Sequence, residues 1–309
     1  MTELTFSFFR NYEKYTGGHQ KFYDYIEHTK ALPSAQCELF VQNDCSVMPG
    51  FFNNITGVKY QASYNPNACN IVFLAGMDWQ YYLPHARRND VIVNLVQHVR
   101  HGDNTHPLFN FLPHKAFRIC VSDAVRDAVT PYANGICRTI PIGHTIPHLT
   151  HEKEYDLYIL AKKNVKFGRT IAKWAEHVGL KYLLHDYFVN KDEVLSSMAK
   201  AKVSLVLPNP TEGFFLPGIE AMALSERAVV PDAIANREYC KQGTNALLCE
   251  YNVEAVTLAV KTSLDRLKTT YHQYEKLAGE KLARSYSLMQ EREIYHQLIT
   301  EHVIPLATQ

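Results

Sequence analysis

The stretch Pro208-Asn209-Pro210-Thr211-Glu212-Gly213-Phe214-Phe215-Leu216-Pro217-Gly218-Ile219-Glu220 follows a β-branched apolar run at 202–207 and leads into residues of helical period at 217–225. A strand therefore ends at Leu207, a loop carries Glu212 and Gly213, and Pro217 stands where a first helical turn tolerates a residue without an N–H. Glu220 is expected in that first turn, where the helix dipole favours a carboxylate or another anion. The backbone N–H groups of Gly213, Phe214 and Phe215 are left to cradle a phosphate. Glu212 and Glu220, eight positions apart, flank that cradle.

The surrounding chain repeats this strand, turn and helix unit. Strands are expected at 155–161, 182–188, 228–230 and 246–249, and helices at 193–201 and 253–267. A further helix presents Ile171, Trp174, Ala175 and Val178 on one face and stops at Gly179. In the first half the strands are 4–9, 38–42, 70–74, 91–96, 118–121 and 139–141. One helix, 19–29, opens just after Gly17-Gly18 and sets Phe22, Tyr25 and Ile26 on one side. Another, 123–130, has Ser122 as its cap and Pro131 beyond its end. Such alternation predicts an α/β protein with two parallel sheets in tandem, each binding ligands at its strand carboxyl ends. The cleft between the sheets is the default site. Pro147 and the polar run around it put the junction at 146–154, dividing the chain into 1–150, 151–288 and a terminal helix within 289–309.

A length of 309 residues suits two domains. Lys and Arg number 32 against 31 Asp and Glu, a net charge of +1. The first 150 residues carry 12 basic and 11 acidic side chains and the rest 20 of each, so neither part is built to bind a nucleic acid by charge. The seven cysteines, Cys37, Cys45, Cys69, Cys120, Cys137, Cys240 and Cys249, form no C-x-x-C pair and point to a reduced, intracellular protein. Glu3 precedes the first apolar stretch and Arg10 follows it, the wrong order for a secretory signal. No apolar run approaches the ~20 residues that span a bilayer. A cytoplasmic chain is expected, with peripheral contact to the inner face of a membrane left open. G-x-x-x-x-G-K-[ST], G-x-G-x-x-G and G-x-S-x-G are absent, which argues against nucleotide hydrolysis by a P-loop, dinucleotide redox chemistry and a hydrolase elbow.

Glu212-Gly213-Phe214-Phe215-Leu216-Pro217-Gly218-Ile219-Glu220-Ala221-Met222-Ala223, followed by Ala228-Val229-Val230-Pro231 and Asn236-Arg237-Glu238, resembles retaining glycosyltransferase family four of the GT-B fold, whose signature is E-x7-E. The resemblance implies two Rossmann-like domains facing across a cleft, acceptor bound by the first and nucleotide-sugar donor by the second. Glu212 would contact the donor sugar and reaction centre, Glu220 the ribose hydroxyls, and the amides of Gly213, Phe214, Phe215 and Leu216 the sugar and phosphate. Lys162 and Lys166 would neutralise the diphosphate leaving group, with Lys163 or Arg169 as substitutes. Gly17 and Gly18 match the family's glycine-rich loop. Asn70 to Gln80, with Asp78-Trp79, resembles a segment near the acceptor, and His98 a histidine beside the donor sugar. Tyr187 or Phe188 could stack on the nucleobase. His144 falls at an interdomain joint, and the helix at 292–302 would cross back to the first domain.

Implied too are transfer to an acceptor hydroxyl with retention, UDP or GDP as the donor's nucleotide, and no resident cofactor or metal. The acceptor would be a glycan, a lipid-linked species or a small molecule. Against the last absence stands one rival: His98, His101, Asp103 and His106 lie within nine residues and could ligate zinc. The alternative to a transferase is a non-catalytic nucleotide-sugar binding or assembly module on the same scaffold.

Overall fold

The structure, a computed structural model, describes residues 3–13, 15–42, 48 and 50–308; Cys45 lies outside them. In chain order its elements are β1 (Leu4–Asn11), α1 (Gly17–Lys30), β2 (Ala35–Gln42), β3 (Val58–Tyr60), β4 (Ile71–Ala75), α2 (Trp79–Tyr82), β5 (Val91–Val96), β6 (Phe117–Cys120), α3 (Asp123–Val129) and β7 (Cys137–Thr139). There follow β8 (Tyr155–Leu160), α4 (Val165–His177), β9 (Tyr182–His185), α5 (Lys191–Ala199), β10 (Ala201–Val206), α6 (Leu216–Leu224), β11 (Arg227–Pro231), β12 (Ala246–Cys249), α7 (Val253–Arg266), α8 (His272–Ser285), α9 (Leu288–His302) and α10 (Ile304–Ala307). They form two compact units, one running to Ile142 and resuming at Leu288, the other Gly143–Ser287. His144 belongs to the second unit because its amide donates to the Tyr286 carbonyl at 2.8 Å.

In the first unit seven strands pair in the order β3-β2-β1-β4-β5-β6-β7, all parallel. Winding reverses between β1 and β4, which are hydrogen-bonded neighbours with Phe6 opposite Ile71. The core is aromatic: Phe8 stacks on Phe73 at 4.9 Å, and Phe22 of α1 meets both rings edge-on. β3 is short and polar, which leaves it without a periodic signal in the sequence. Helix α9 packs on α1 through buried polar groups. Lys21 Nζ donates to Glu291 Oε2 at 2.6 Å, His28 Nε2 lies 2.9 Å from the same oxygen, and the Thr29 and Tyr295 hydroxyls are 2.7 Å apart.

The second unit has five parallel strands in the order β12-β11-β10-β8-β9, with the reversal between β8 and β10. Sheets buried on both faces need nearly unbroken apolar strands, and β8, β10 and β11 supply Leu157, Ile159, Val203, Leu205 and Val229, all fully buried. Helix α4 approaches the end of β8 so closely that a Cβ on Gly168 would come 2.1 Å from that of Ala161. Gly168→Ala should therefore overpack this contact and destabilise the unit by about 1–3 kcal/mol. Thermal denaturation checks this, and an unchanged melting temperature would contradict it.

Candidate functional site

In an open parallel sheet a ligand site forms outside the strand carboxyl ends where winding reverses. In the second unit that point lies between the segment after β8, which carries Lys162, Lys163 and Asn164, and the loop from Leu207 to Phe215 after β10. Tyr251 ties the two together, donating to the Pro208 carbonyl at 3.0 Å and accepting from Asn164 Nδ2 at 3.3 Å. Glu212 is 7% exposed and its Oε1 is ion-paired with Lys163, whose ammonium also sits 4.9 Å above the Phe215 ring. Among the described residues, the amides of Gly213, Phe214, Phe215 and Leu216 donate to no protein acceptor. Buried backbone donors are nearly always paired, so this run of open amides is free to take an external acceptor.

The loop is braced from beneath. The Phe215 carbonyl accepts from the Gly218 amide at 2.9 Å and lies 2.9 Å from the Tyr239 hydroxyl, which is 2.7 Å from Asn236 Oδ1. Burial, reinforced by Cys240, Tyr286, Glu212 and Glu220, pushes the Tyr239 phenol well above its ordinary range, so it stays a donor. A Cβ at Gly218 would reach 2.2 Å from that hydroxyl, which explains the glycine. Asn236 is buried and donates to the Pro231 carbonyl at 3.2 Å, whereas Arg237 is exposed and paired with Asp232. Within the Asn236-Arg237-Glu238 segment it is thus Asn236 that braces the loop, through Tyr239. Glu220 corrects the sequence expectation: α6 begins at Leu216, so Glu220 is its fifth residue and lies in the second turn, beyond the strongest dipole effect. Its partner is an imidazole, with His144 Nε2 2.6 Å from Oε1.

The remaining cations separate. Lys162 and Lys163 line a cavity of about 190 Å³ walled by Leu160, Tyr187, Val194, Leu207, Phe215 and Pro217. Lys162 Nζ stands 4.3 Å from the Phe188 ring centre. Lys166, exposed in the first turn of α4, is not part of that wall, and Arg169 is paired with Asp186 at 2.6 Å. Lys163 is thus the cation joined to Glu212. β9 stops at His185 rather than continuing to 188, which frees Tyr187 for the cavity rim.

In the first unit, Gly17 and Gly18 are the first two residues of α1 and not a loop before it. Thr16 caps the helix: its amide donates to His19 Nδ1 at 3.2 Å and its carbonyl accepts from the His19 amide at 3.0 Å. Burial and the nearby Arg10 lower His19 to about 4, so the ring is neutral and Nδ1 free to accept. A Cβ on Gly18 would lie 2.6 Å from Gln97 Oε1, and Gln97 donates back to the Gly18 carbonyl at 3.3 Å, bringing the start of α1 beside Gln97 and His98. His98 is half-buried and its carbonyl accepts from His101 Nδ1 at 2.9 Å. Burial lowers His101 to about 3. His106 Nδ1 accepts from the Leu108 amide and Asp103 Oδ1 from Thr105, so the four do not converge. Among the described residues no group of three His, Cys, Asp or Glu side chains is placed to hold a metal, and no helix is long and apolar enough to cross a membrane. Asp78 and Trp79 are buried, Asp78 accepting from Arg10 and the Ala75 amide, each at 3.1 Å, and Trp79 lying in the core beside Phe111.

Two Rossmann-like parallel-sheet units make this the GT-B fold of glycosyltransferases. Among solved structures the chain is similar to sucrose-phosphate synthase from Thermosynechococcus elongatus, at 12% identity over 97% of this chain and 100% of that one, with a TM-score of 0.70. It is similar to HepE from Anabaena, solved with UDP-glucose, at 12% identity over 97% and 100% and a TM-score of 0.68. A glycosyltransferase from Rickettsia africae matches at 12% identity over 97% and 99%, with a TM-score of 0.66. At such identity the likeness is one of fold. No profile of a known protein family and no curated protein matches the chain.

Proposed function

We propose that the chain is a retaining glycosyltransferase that moves a sugar from a nucleotide-diphosphate sugar to an acceptor hydroxyl in glycan assembly. The observation that carries this is the run of open amides at Gly213 to Leu216, set at the switch point of a parallel sheet between the Lys163–Glu212 pair and buried Glu220. The amides and the start of α6 would hold the diphosphate, and Lys162, Lys163 and Lys166 would balance its charge. Glu212 would orient the donor sugar, Glu220 the ribose, and the apolar cavity would take the base beside Tyr187. His98 and Gly17-Gly18 would serve the sugar and acceptor from the first unit. As the bond from the anomeric carbon to the diphosphate breaks, charge develops on the leaving phosphate, where fixed amides and cations stabilise it most. The acceptor oxygen forms its bond on the same face and gives its proton to the departing phosphate oxygen, with no covalent intermediate on Glu212 or His98. HepE was solved with UDP-glucose and with UDP, and a pneumococcal O-GlcNAc transferase with UDP and GlcNAc; UDP is accordingly the favoured nucleotide, with GDP second. We place the enzyme in the cytoplasm, reaching glycan, lipid-linked or small-molecule acceptors, without a resident cofactor.

Thermal-shift binding of UDP, GDP, ADP, TDP, CMP and NAD to the wild type and to Glu220→Ala tests the reading. One nucleoside diphosphate should stabilise the wild type, and its affinity should fall roughly 10- to 100-fold in the variant, the loss of one charge-assisted hydrogen bond. Stabilisation by none of them, or equally in both proteins, would remove Glu220 from the donor site.

A further inference from the structure

We propose that His144 positions Glu220 and so makes the site select a ribonucleotide over its 2′-deoxy counterpart; the inference rests on the ribose role given to Glu220 above. The two side chains meet at 2.6 Å, Nε2 to Oε1, and each is only 8% exposed. A carboxylate so enclosed needs hydrogen bonds, and the neighbouring cations are engaged elsewhere. Lys163 pairs with Glu212, while Lys153 and Lys276 donate to the Leu224, Ala223 and Ser225 carbonyls at the far end of α6. Among the described residues, His144 is therefore the donor that fixes Glu220.

The geometry leaves the other oxygen for a ligand. Among the described residues Glu220 Oε2 has no protein donor, yet it is not sealed from solvent as the unpartnered Glu291 Oε1 is. With Oε1 pinned, rotation of the carboxylate is stopped and Oε2 is held toward one side, the arrangement that accepts a sugar hydroxyl. His144 is itself held by a packed neighbour. Its amide donates to the Tyr286 carbonyl at 2.8 Å, and the Tyr286 ring lies 5.2 Å from that of Phe214, whose amide belongs to the open run. Imidazole, carboxylate and amide loop are thereby parts of one rigid surround, although His144 comes from a segment with no regular structure. A site built to hydrogen-bond a hydroxyl rejects the analogue that lacks it, because the buried acceptor is then left unpaired.

Calorimetric titration of UDP, GDP and their 2′-deoxy counterparts into the wild type, Glu220→Ala, His144→Ala, His144→Leu and His144→Gln tests this. The wild type should prefer the ribonucleotide by roughly 10-fold or more, the worth of one hydrogen bond to a charged acceptor. Glu220→Ala should abolish the preference. His144→Ala should reduce it to about threefold or less while the 2′-deoxy affinity stays near that of the wild type, and His144→Gln, which retains an N–H donor, should restore most of it. His144→Leu fills the volume without a donor and takes the place of alanine if the cavity left by alanine unfolds the unit. A His144→Ala or His144→Leu variant that keeps the preference, or loses both nucleotides in equal proportion, overturns the positioning role while the ribose reading stands. If Glu220→Ala keeps the preference, or neither ribonucleotide binds the wild type, the ribose reading itself falls and this inference with it.

Discussion

Replacing Glu212 by alanine should lower the rate of sugar transfer by about 10²-fold, the usual effect of losing a group that orients the reacting centre, while nucleotide affinity changes only a few-fold. Glu212 is buried beside the open amides and tied to Lys163, so its carboxylate is held in place and not swinging in solvent. Its removal also releases Lys163, whose ammonium stands 4.9 Å from the Phe215 ring. Folding should hardly suffer, because the Lys163 side chain is 44% exposed and the pair is screened by water. Initial rates of nucleoside diphosphate release from the donor, measured beside binding of the same nucleotide, separate the two effects. Full transfer activity in Glu212→Ala would end the catalytic assignment. A matched loss of binding and rate would make Glu212 a general donor ligand and not a group specific to the reaction.

The largest effect on stability should come from Glu291→Ala, at about 3 kcal/mol, since breaking a buried ion pair strands its partners. Glu291 is 1% exposed and accepts from both Lys21 and His28 of α1. Lys21 would keep Asp24 at 2.8 Å, which sets the figure at the low end for such pairs. Burial works to raise the Glu291 carboxyl, but the charge of Lys21 and the hydrogen bonds from His28 and Lys21 outweigh it and hold the group below its ordinary 4.5. A carboxyl lowered in the folded state contributes stability above the unfolded value and loses it as pH falls through the folded one. The gap between wild type and variant should therefore be full at pH 7 and close in acid below about 4.5. Urea unfolding at several pH values checks both claims, and a gap under about 1 kcal/mol at neutral pH would show that the network is dispensable.

Both parallel sheets were legible in the sequence because their strands are apolar runs separated by helices of clear period. β3 was not, being three residues at a sheet edge with two of them exposed. Tyr187 and Phe188 extend the apolar run of β9 beyond its end, since apolar residues that rim a cavity and those that fill a core look alike in sequence. Spacing identified Glu212, Glu220 and the open amides, whose relation is local to one loop and helix. The resemblance put Lys162 and Lys166 on the diphosphate with Lys163 or Arg169 as substitutes; that Lys163 is the one paired with Glu212 depends on which side of the chain leaves the end of β8 facing the loop after β10. The Glu220 partner, His144, lies 76 positions away in a segment without periodicity, and Tyr239 and Tyr251 reach their loops only through the folded sheet.

Because α9 and α10 complete a unit whose other elements end at Ile142, the first unit cannot close until the ribosome has passed through all of the second. At translation speeds of about 5–20 residues per second that wait is roughly seven to thirty seconds. Throughout it, α1 presents Lys21, His28 and the ring of Tyr25 without Glu291 and Tyr295 to cover them. The later-made unit, contiguous in sequence, can be finished first. The nascent chain thus reverses the usual amino-to-carboxyl order of maturation, and an exposed α1 is the surface a chaperone would meet.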